Sequence, residues 1–464
     1  MDIHEPATRI QAAPPFAASG TVSHASLASY VLGGIGDNVI CTMIVTFLML
    51  YYTDYVGIPA ATVGTIFLLT RIWDTLSDLV WGWIFDNTHT RLGRFRPWLL
   101  YSGIVCALAM VATFSIPQMS MGATIAWAGI TYFLLSTSYT AFDVPYWSLA
   151  TVITRNPESR NRVVVATRIG GTCGSWLASV VTLPLLALLA NNWSQLAVIY
   201  AVFFLVCALV NFSGVRELPT PPSEGSAIHS WRVYPELLRH NRPLVLLMGF
   251  WFLLNFVLAS RSGFCLYYFK YLVKSDAAMT SYLGVSTLAA MAGAALTPLL
   301  VNRVERRVTG SLACALAGLL CVLTFFITSV PVWFAVALSS LPHLLFGMLG
   351  VLLGTLLPDV AAWHEYHHHR QAGGMIFSLN LFQLKFSGAI GGAAAGFVLG
   401  FIGYVPNEAQ SGFTLSGISA AFTLIPGLIL LVCPLILWRY PLTFAGNRRI
   451  ADALRLRDNQ EVSS

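Results

Sequence analysis

Residues 60–85 read AATVGTIFLLTRIWDTLSDLVWGWIF, an apolar run that nonetheless holds Arg71, Asp74 and Asp78. It exceeds the roughly 20 residues that a helix needs to cross a bilayer. Backbone in lipid must satisfy its own hydrogen bonds, which leaves helices and closed barrels. The run does not alternate at period two, so it reads as a helix. An ionised side chain at the centre of such a helix costs roughly 2.5–3.5 kcal/mol, so these charges must be paired or face water. Asp74 and Asp78 are spaced i, i+4 and lie on one helix face, a turn apart. Two carboxylates so close cannot both stay ionised in a dry site unless a cation joins them. The pair can share one proton or ligate a small hard cation, with Ser77 and Thr140 as sources of hydroxyl oxygens. Arg71, at i, i+3 from Asp74, neutralises one carboxylate and leaves the second uncompensated.

Working outward, eleven further apolar runs are read as spans: 28–53, 98–117, 121–150, 163–190, 194–215, 243–269, 278–301, 309–329, 331–360, 373–404 and 413–438. Of the 464 residues only 10% are charged and 56% are hydrophobic. A soluble protein devotes about a quarter of its residues to charge. The composition excludes a soluble enzyme, a disordered chain and a nucleic-acid-binding domain, and a net charge of +6 is no basic patch. Residues 1–27 contain Asp2, Glu5 and prolines but no apolar stretch, and read as a cytosolic tail.

Lysine and arginine set the orientation. With the N-terminus inside, 20 of the 26 basic residues fall in inner loops and tails. The outer loops hold Lys270 and Lys274. Arg71, Arg168, Arg261 and Lys385 remain within spans. All eight cysteines also lie in spans, with no spacing that marks a disulfide framework or a metal site.

The longest inner loop, 216–242, carries Pro219, Pro221, Pro222 and Gly225 and divides the chain. The expected organisation is a tail (1–27), a six-helix bundle (28–215), a cytosolic loop (216–242), a second six-helix bundle (243–438) and a tail (439–464). A weak repeat agrees. The Gly82–Asp86 turn and its arginines are answered about 216 residues later by Pro298–Asn302 with Arg303, Arg306 and Arg307. Two matching helical halves around a central cavity are the architecture of a secondary transporter. No nucleophile–base pair or metal-ligand cluster stands out in the spans, so an enzyme is not expected. His343 reads as a packing residue. The run from His364 to Arg370 falls in a predicted inner loop and does not read as a metal site.

Three motifs then carry a resemblance. Arg71–Asp78, Gly93–Trp98 and Tyr139–Leu149 stand in order on successive spans, followed by Glu365–Tyr366, Lys385 and Gly403–Asn407. Together they resemble the glycoside–pentoside–hexuronide:cation symporters, the melibiose-permease-like branch of the major facilitator superfamily. The resemblance implies an all-α membrane protein of twelve transmembrane helices in two six-helix halves. It implies cation-coupled sugar or glycoside symport by alternating access in a bacterial cytoplasmic (inner) membrane, with both termini cytosolic. The coupling cation is H+ or Na+, no other cofactor is needed, and the carrier works as a monomer.

Carried over position by position, Asp74, Asp78, Thr140 and Ser77 fall at the cation site. Asp37, Asp143, Trp147, Arg168, Tyr139, Lys385 and Asn380 fall at the sugar site, with Lys385 linking the two. Carboxylates accept paired hydrogen bonds from vicinal hydroxyls, cations donate to ring oxygens, and an aromatic face covers the C–H side of a pyranose. Asp86, Arg91, Arg94 and Arg96 resemble the superfamily's inner-loop signature, a charge network that gates the cytoplasmic side.

Gly36, Gly350, Asn380 and Ser77 stand where melibiose permease has lysine, tryptophan, glutamine and asparagine. They point away from melibiose as substrate and from a strict sodium site. Arg261 stands where that pattern is apolar, and two readings of it are open. It binds the carboxylate of a uronide or other acidic glycoside, or it is bonded within the bundle or snorkels outward. Two rival functions remain beside glycoside symport: a cation-coupled carrier of a lysolipid-like amphiphile, and a membrane sensor that transports nothing.

Overall fold

A computed structural model describes residues 22–88, 90, 92–153, 157–215, 217, 233–301, 304–327, 330–368, 373–443, 446–447, 449–450, 453–454 and 456. Most of both tails and of the middle loop lie outside these.

The described residues are helical, with no strand among them beyond an isolated bridge between Thr90 and Gly93. The long helices are α1 (His24–Tyr55), α2 (Ala60–Asp86), α3 (Arg96–Thr113), α4 (Met121–Val152), α5 (Pro157–Leu188) and α6 (Trp193–Gly214). After a short helix at Val233–His240 come α7 (Arg242–Val273), α8 (Asp276–Val301), α9 (Arg306–Phe326), α10 (Val332–His368), α11 (Gly373–Phe401) and α12 (Gly412–Trp438).

Ten of them are long and apolar enough to cross a membrane. The other two, α2 and α4, are 27 and 32 residues long. α2 carries Arg71, Asp74 and Asp78, and α4 carries Thr140 and Asp143 among many Ser, Thr and Gly residues. Local signals set several ends. Ser23 and Asn192 cap α1 and α6 by accepting from Ser26 and Gln195 amides, and Pro97 and Pro243 open α3 and α7, where a missing N–H costs nothing.

Helix pairing repeats along the chain. In the first group α1 packs on α5 and α6, α3 on α4 and α6, and α2 on α4. In the second, α7 packs on α11 and α12, α9 on α10 and α12, and α8 on α10. Between the groups, α2 meets α11 and α5 meets α8.

The apolar cores are arranged unevenly. One core runs through α1–α6 and takes in the stretches of α7, α8, α11 and α12 around Phe264–Leu283 and Ala395–Phe422. A second is built from the remaining parts of α7, α9, α10 and α12, including Leu244, Leu352, Leu357 and Leu437. The two groups thus share a core at the end holding Asp54 and Tyr404. They keep separate cores at the end holding Phe95 and Leu437.

The shared end is also tied by polar groups. Both α1 and α7 finish in π turns, Tyr51–Tyr55 and Tyr268–Val273, whose extra residue re-aims the side chains. Asp54, with a fully buried side chain, pairs with Lys270 and accepts from Tyr271 at 2.8 Å, Thr53 at 2.7 Å and Tyr404. The Asn407 amide donates to the Asp54 carbonyl and accepts from Lys270 at 2.9 Å. One carboxylate therefore joins α1 to α7 and to the turn after α11.

One expectation needs correcting. α10 does not end near 360 but runs to His368, so His364, His367 and His368 lie on helical turns and not in a loop, while His369 and Arg370 lie outside the described residues. No glycine or proline interrupts the chain between Pro358 and Gly373, and i, i+4 ring pairs line the extension, with Trp363 stacked on His367 at 4.2 Å and His364 against His368 at 4.7 Å. Among the described residues, no three His, Cys, Asp or Glu side chains are placed to hold a metal.

Candidate binding cavity and charged cluster

Small residues bring α5 against α1. A Cβ on Gly170 or Gly174 would sit 2.3 Å from the Val31 or Ile35 carbonyl, so the two backbones touch only because these positions are glycine. This contact sets Asn38 of α1 beside Ser175 of α5. Ser175 Oγ donates to Asn38 Oδ1 at 3.4 Å, and Asn38 Nδ2 donates to the Gly34 carbonyl and to Asp37 Oδ2, each at 3.2 Å.

Asn38 and Ser175 edge a cavity of about 360 Å³ between α1, α4, α5 and α8, which Trp147 and Arg168 also line. The Arg168 guanidinium lies 5.0 Å from the centre of the Trp147 ring, a cation–π contact. The Trp147 ring is set edge-on against Tyr146, whose hydroxyl donates to the Tyr30 carbonyl at 2.7 Å. The aromatic face is thereby held by α1.

The aspartate pair sits between α2, α4 and α11. Asp74 is buried; its Oδ1 accepts from Thr140 at 2.5 Å, and Arg71 is 3.8 Å from its Oδ2. Asp78 is held by Lys385 of α11, Nζ to Oδ1, at 2.6 Å. The side chains of Asp78 and Lys385 are 30% and 33% exposed, so this pair, which bridges the two helix groups, is partly open. The Ser77 hydroxyl donates to the Asp74 backbone carbonyl at 3.0 Å and not to either carboxylate.

Asp143 stands between the two features. Trp147 lies beside it, and Lys385, Asp74 and Asp78 are its charged neighbours. Asp37 is 1% exposed and neighbours Asp143 and Tyr139. Its Oδ1 has no hydrogen-bond partner among the described residues, a costly condition for a buried carboxylate oxygen. Asp37, Tyr139 and Asp143 are not among the residues that line the cavity; Asp143 reaches it through its neighbour Trp147.

The structure thus brings Asp37, Asp74, Asp78, Thr140, Asp143, Trp147, Arg168, Tyr139 and Lys385 into one continuous region. Asn380 is half-buried on α11 and does not line the cavity. Arg261 is apart from it. It is 2% exposed, donates to the Phe422 carbonyl at 2.8 Å, the Ser339 carbonyl at 3.1 Å and Cys321 Sγ at 3.3 Å, and lies 4.4 Å from the Phe422 ring centre. Phe422 belongs to a π turn, Ala420–Leu424, which presents its carbonyl sideways.

At the opposite end of the bundle, Asp86 and Arg91 carry side chains outside the described residues. Arg94 Nε donates to the Phe85 carbonyl at 2.9 Å and Arg96 Nη2 to the Phe212 carbonyl at 2.8 Å. The Glu217 carboxylate accepts from the backbone amides of Arg94, Phe95 and Arg96 at 2.6–2.8 Å, capping the start of α3. In the second group Arg306 pairs with Asp359 of α10, which also accepts from Asn447 at 2.7 Å.

Sequence reasoning missed Asp54, which falls one residue past the predicted span 28–53. It also missed Asn38 and Ser175, neutral residues on spans read for charge. An acid amid tyrosines in Tyr51–Tyr55 was the one available signal.

Apolar helices gathered around a cavity, with a cluster of charged side chains within the same spans, define a multi-pass membrane transporter. The chain belongs to the MFS/sugar transport protein family, matched over residues 29–444, as a glycoside–pentoside–hexuronide:cation symporter. It is 30% identical over 414 residues to the isoprimeverose transporter of Lactiplantibacillus pentosus, covering 86% of this chain and 84% of that one. It is also 30% identical over 447 residues to the glucuronide carrier protein homolog of Escherichia coli (strain K12), covering 91% and 93%. The crystal structure of a D-xylose-proton symporter superposes with a TM-score of 0.68 over 91% of this chain and 98% of that one, at 12% identity. That likeness speaks for the fold.

Proposed function

We propose that the protein carries a sugar or glycoside into the cell together with H+ or Na+ by alternating access. The observation that carries this is the position of Asp143, which neighbours Trp147 at the cavity and Lys385, Asp74 and Asp78 at the charged cluster. A cation arriving at Asp78 competes with Lys385 for the same carboxylate. The released ammonium and the changed field at Asp143 then favour a polyhydroxy ligand in the cavity. Trp147 offers a face to the C–H side of a sugar ring, and Arg168, Asn38 and Asp143 offer hydrogen bonds to its hydroxyls. Thr140 holds Asp74, and Asp37 and Tyr139 support the carboxylates from behind.

In this reading twelve helices span the bacterial cytoplasmic membrane as two halves, 28–215 and 243–438, joined by the loop 216–242, with both tails in the cytosol. The mirrored helix pairing supports that division, and the arginine-rich loops support the orientation. The shared core and the Asp54–Lys270–Tyr404 cluster then close the outer side, while the separate cores leave the inner side open. Arg94 and Arg96, with Asp86 and Arg91, belong to the inner gate. The enclosure of Arg261 by neutral groups supports a structural role, with acidic glycosides no better served by it than neutral ones.

One cation crossing a 100 mV potential supplies roughly 2.3 kcal/mol, which sustains about fifty-fold accumulation. The test is uptake of a panel of neutral glycosides and uronides into proteoliposomes under a proton gradient alone and a sodium gradient alone. One gradient should drive accumulation of at least one member. No accumulation of any member under either gradient would count against symport.

A further inference from the structure

The cavity has two unlike walls. On one side Asn38, Trp147, Arg168 and Ser175 present polar and aromatic groups from α1, α4 and α5. The other side is a single face of α8: Thr287, Ala290, Met291 and Ala294, at i, i+3, i+4 and i+7. The only polar side chain on that face, Thr287, commits its one donor to the Leu283 carbonyl of its own helix at 2.9 Å and keeps only acceptor lone pairs. No donor on the α8 wall is free to bind a hydroxyl, whereas Met291 is 40% exposed.

This wall cannot retreat. A Cβ on Gly293 would lie 1.7 Å from the Leu344 carbonyl oxygen, and one on Gly347 would lie 1.9 Å from that of Ala290. The backbones of α8 and α10 are therefore in contact directly behind the cavity face. A ligand that fills the space must match an apolar surface of fixed position, tuned by one flexible thioether side chain.

Resting on the symport reading, we propose that the α8 face is the specificity-determining wall for the non-sugar part of the substrate, with Met291 as its principal residue. The ring sits at Trp147 and Arg168, and an apolar aglycone lies on Met291, Ala290 and Ala294. A free sugar or a methyl glycoside leaves that wall facing water or bare hydroxyls, which forfeits the burial that an aryl group gains. The preferred substrates are accordingly glycosides with an apolar substituent of roughly one ring, bound more tightly than their methyl counterparts.

The test compares p-nitrophenyl and methyl glycosides of the same sugars as competitors and substrates in proteoliposome uptake, with the aryl-to-methyl preference as readout. That ratio is internally normalised for protein amount and folding. The wild type should favour the aryl compound about tenfold, the scale on which apolar pockets discriminate. Met291→Ala should cut the preference to about threefold or less, and Ala294→Phe, which fills the space, should abolish or reverse it. A wild-type ratio near one, or a ratio unchanged in both variants, would overturn the proposal while leaving symport standing. Absence of any gradient-driven glycoside uptake would instead bring down the symport reading beneath it.

Discussion

Two charged regions lie within the helices, and they are satisfied in opposite ways. At Asp78 and Lys385, carboxylate and ammonium come from different helix groups and both remain about one-third exposed. At Arg261, a guanidinium 2% exposed is wrapped by two backbone carbonyls, a thiol and an aromatic ring, all from α9, α10 and α12 of its own group. The first region is partly exposed and paired across an interface, where a partner can be exchanged. The second is dry, bonded to fixed neutral groups, and gains nothing from movement. Both meet the requirement that a charge in the membrane be compensated. On the proposed reading, only the first is compensated in a way that a travelling cation takes over.

The comparison can be broken from the Arg261 side first, where the effect on the folded protein is larger. Arg261→Gln leaves two buried carbonyls short of a donor, a loss of about 1–3 kcal/mol. Thermal unfolding in detergent should shift downward by several degrees, while uptake of neutral and acidic glycosides falls by the same factor. A selective loss of acidic glycosides, with unchanged melting, would make Arg261 a substrate ligand and erase the distinction drawn here.

A smaller change sharpens the comparison from the other side. The Ser77 hydroxyl donates to the Asp74 backbone carbonyl, so Ser77→Ala removes a local helix bond and no donor to a carboxylate. The half-saturating concentration of the coupling cation should rise less than about threefold, within the net worth of one neutral hydrogen bond. A tenfold or greater rise in initial-rate assays would place the Ser77 oxygen in the cation's coordination shell.

Much of this was legible in the residues. The apolar runs at 60–85 and 121–150 coincide with the helices α2 and α4, and hydropathy alone is high enough for a membrane span in the other ten. The i, i+4 spacing of Asp74 and Asp78 placed both on the face that meets α4 and α11. What could not be read was how charges at distant positions combine. Asp54 draws its partners from more than 200 residues away in sequence, and its role depends on π turns that no local pattern announces. Arg261 and Arg168 are alike as intramembrane arginines. Only packing shows that one faces a cavity over Trp147 while the other is sealed beside Phe422. The apolar wall of α8 looked like any lipid-facing helix surface, since a methionine among alanines carries no mark of what it will face.

The proposed coupling of the cation to the sugar rests on Asp74 and Asp78. It is tested most directly by measuring, in proteoliposomes containing Asp74→Ala or Asp78→Ala, both gradient-driven accumulation of a transported glycoside and its exchange across the membrane without a gradient. Each variant should lose accumulation, from about fifty-fold to equilibration, while exchange persists. Accumulation at the wild-type level in both variants would contradict it.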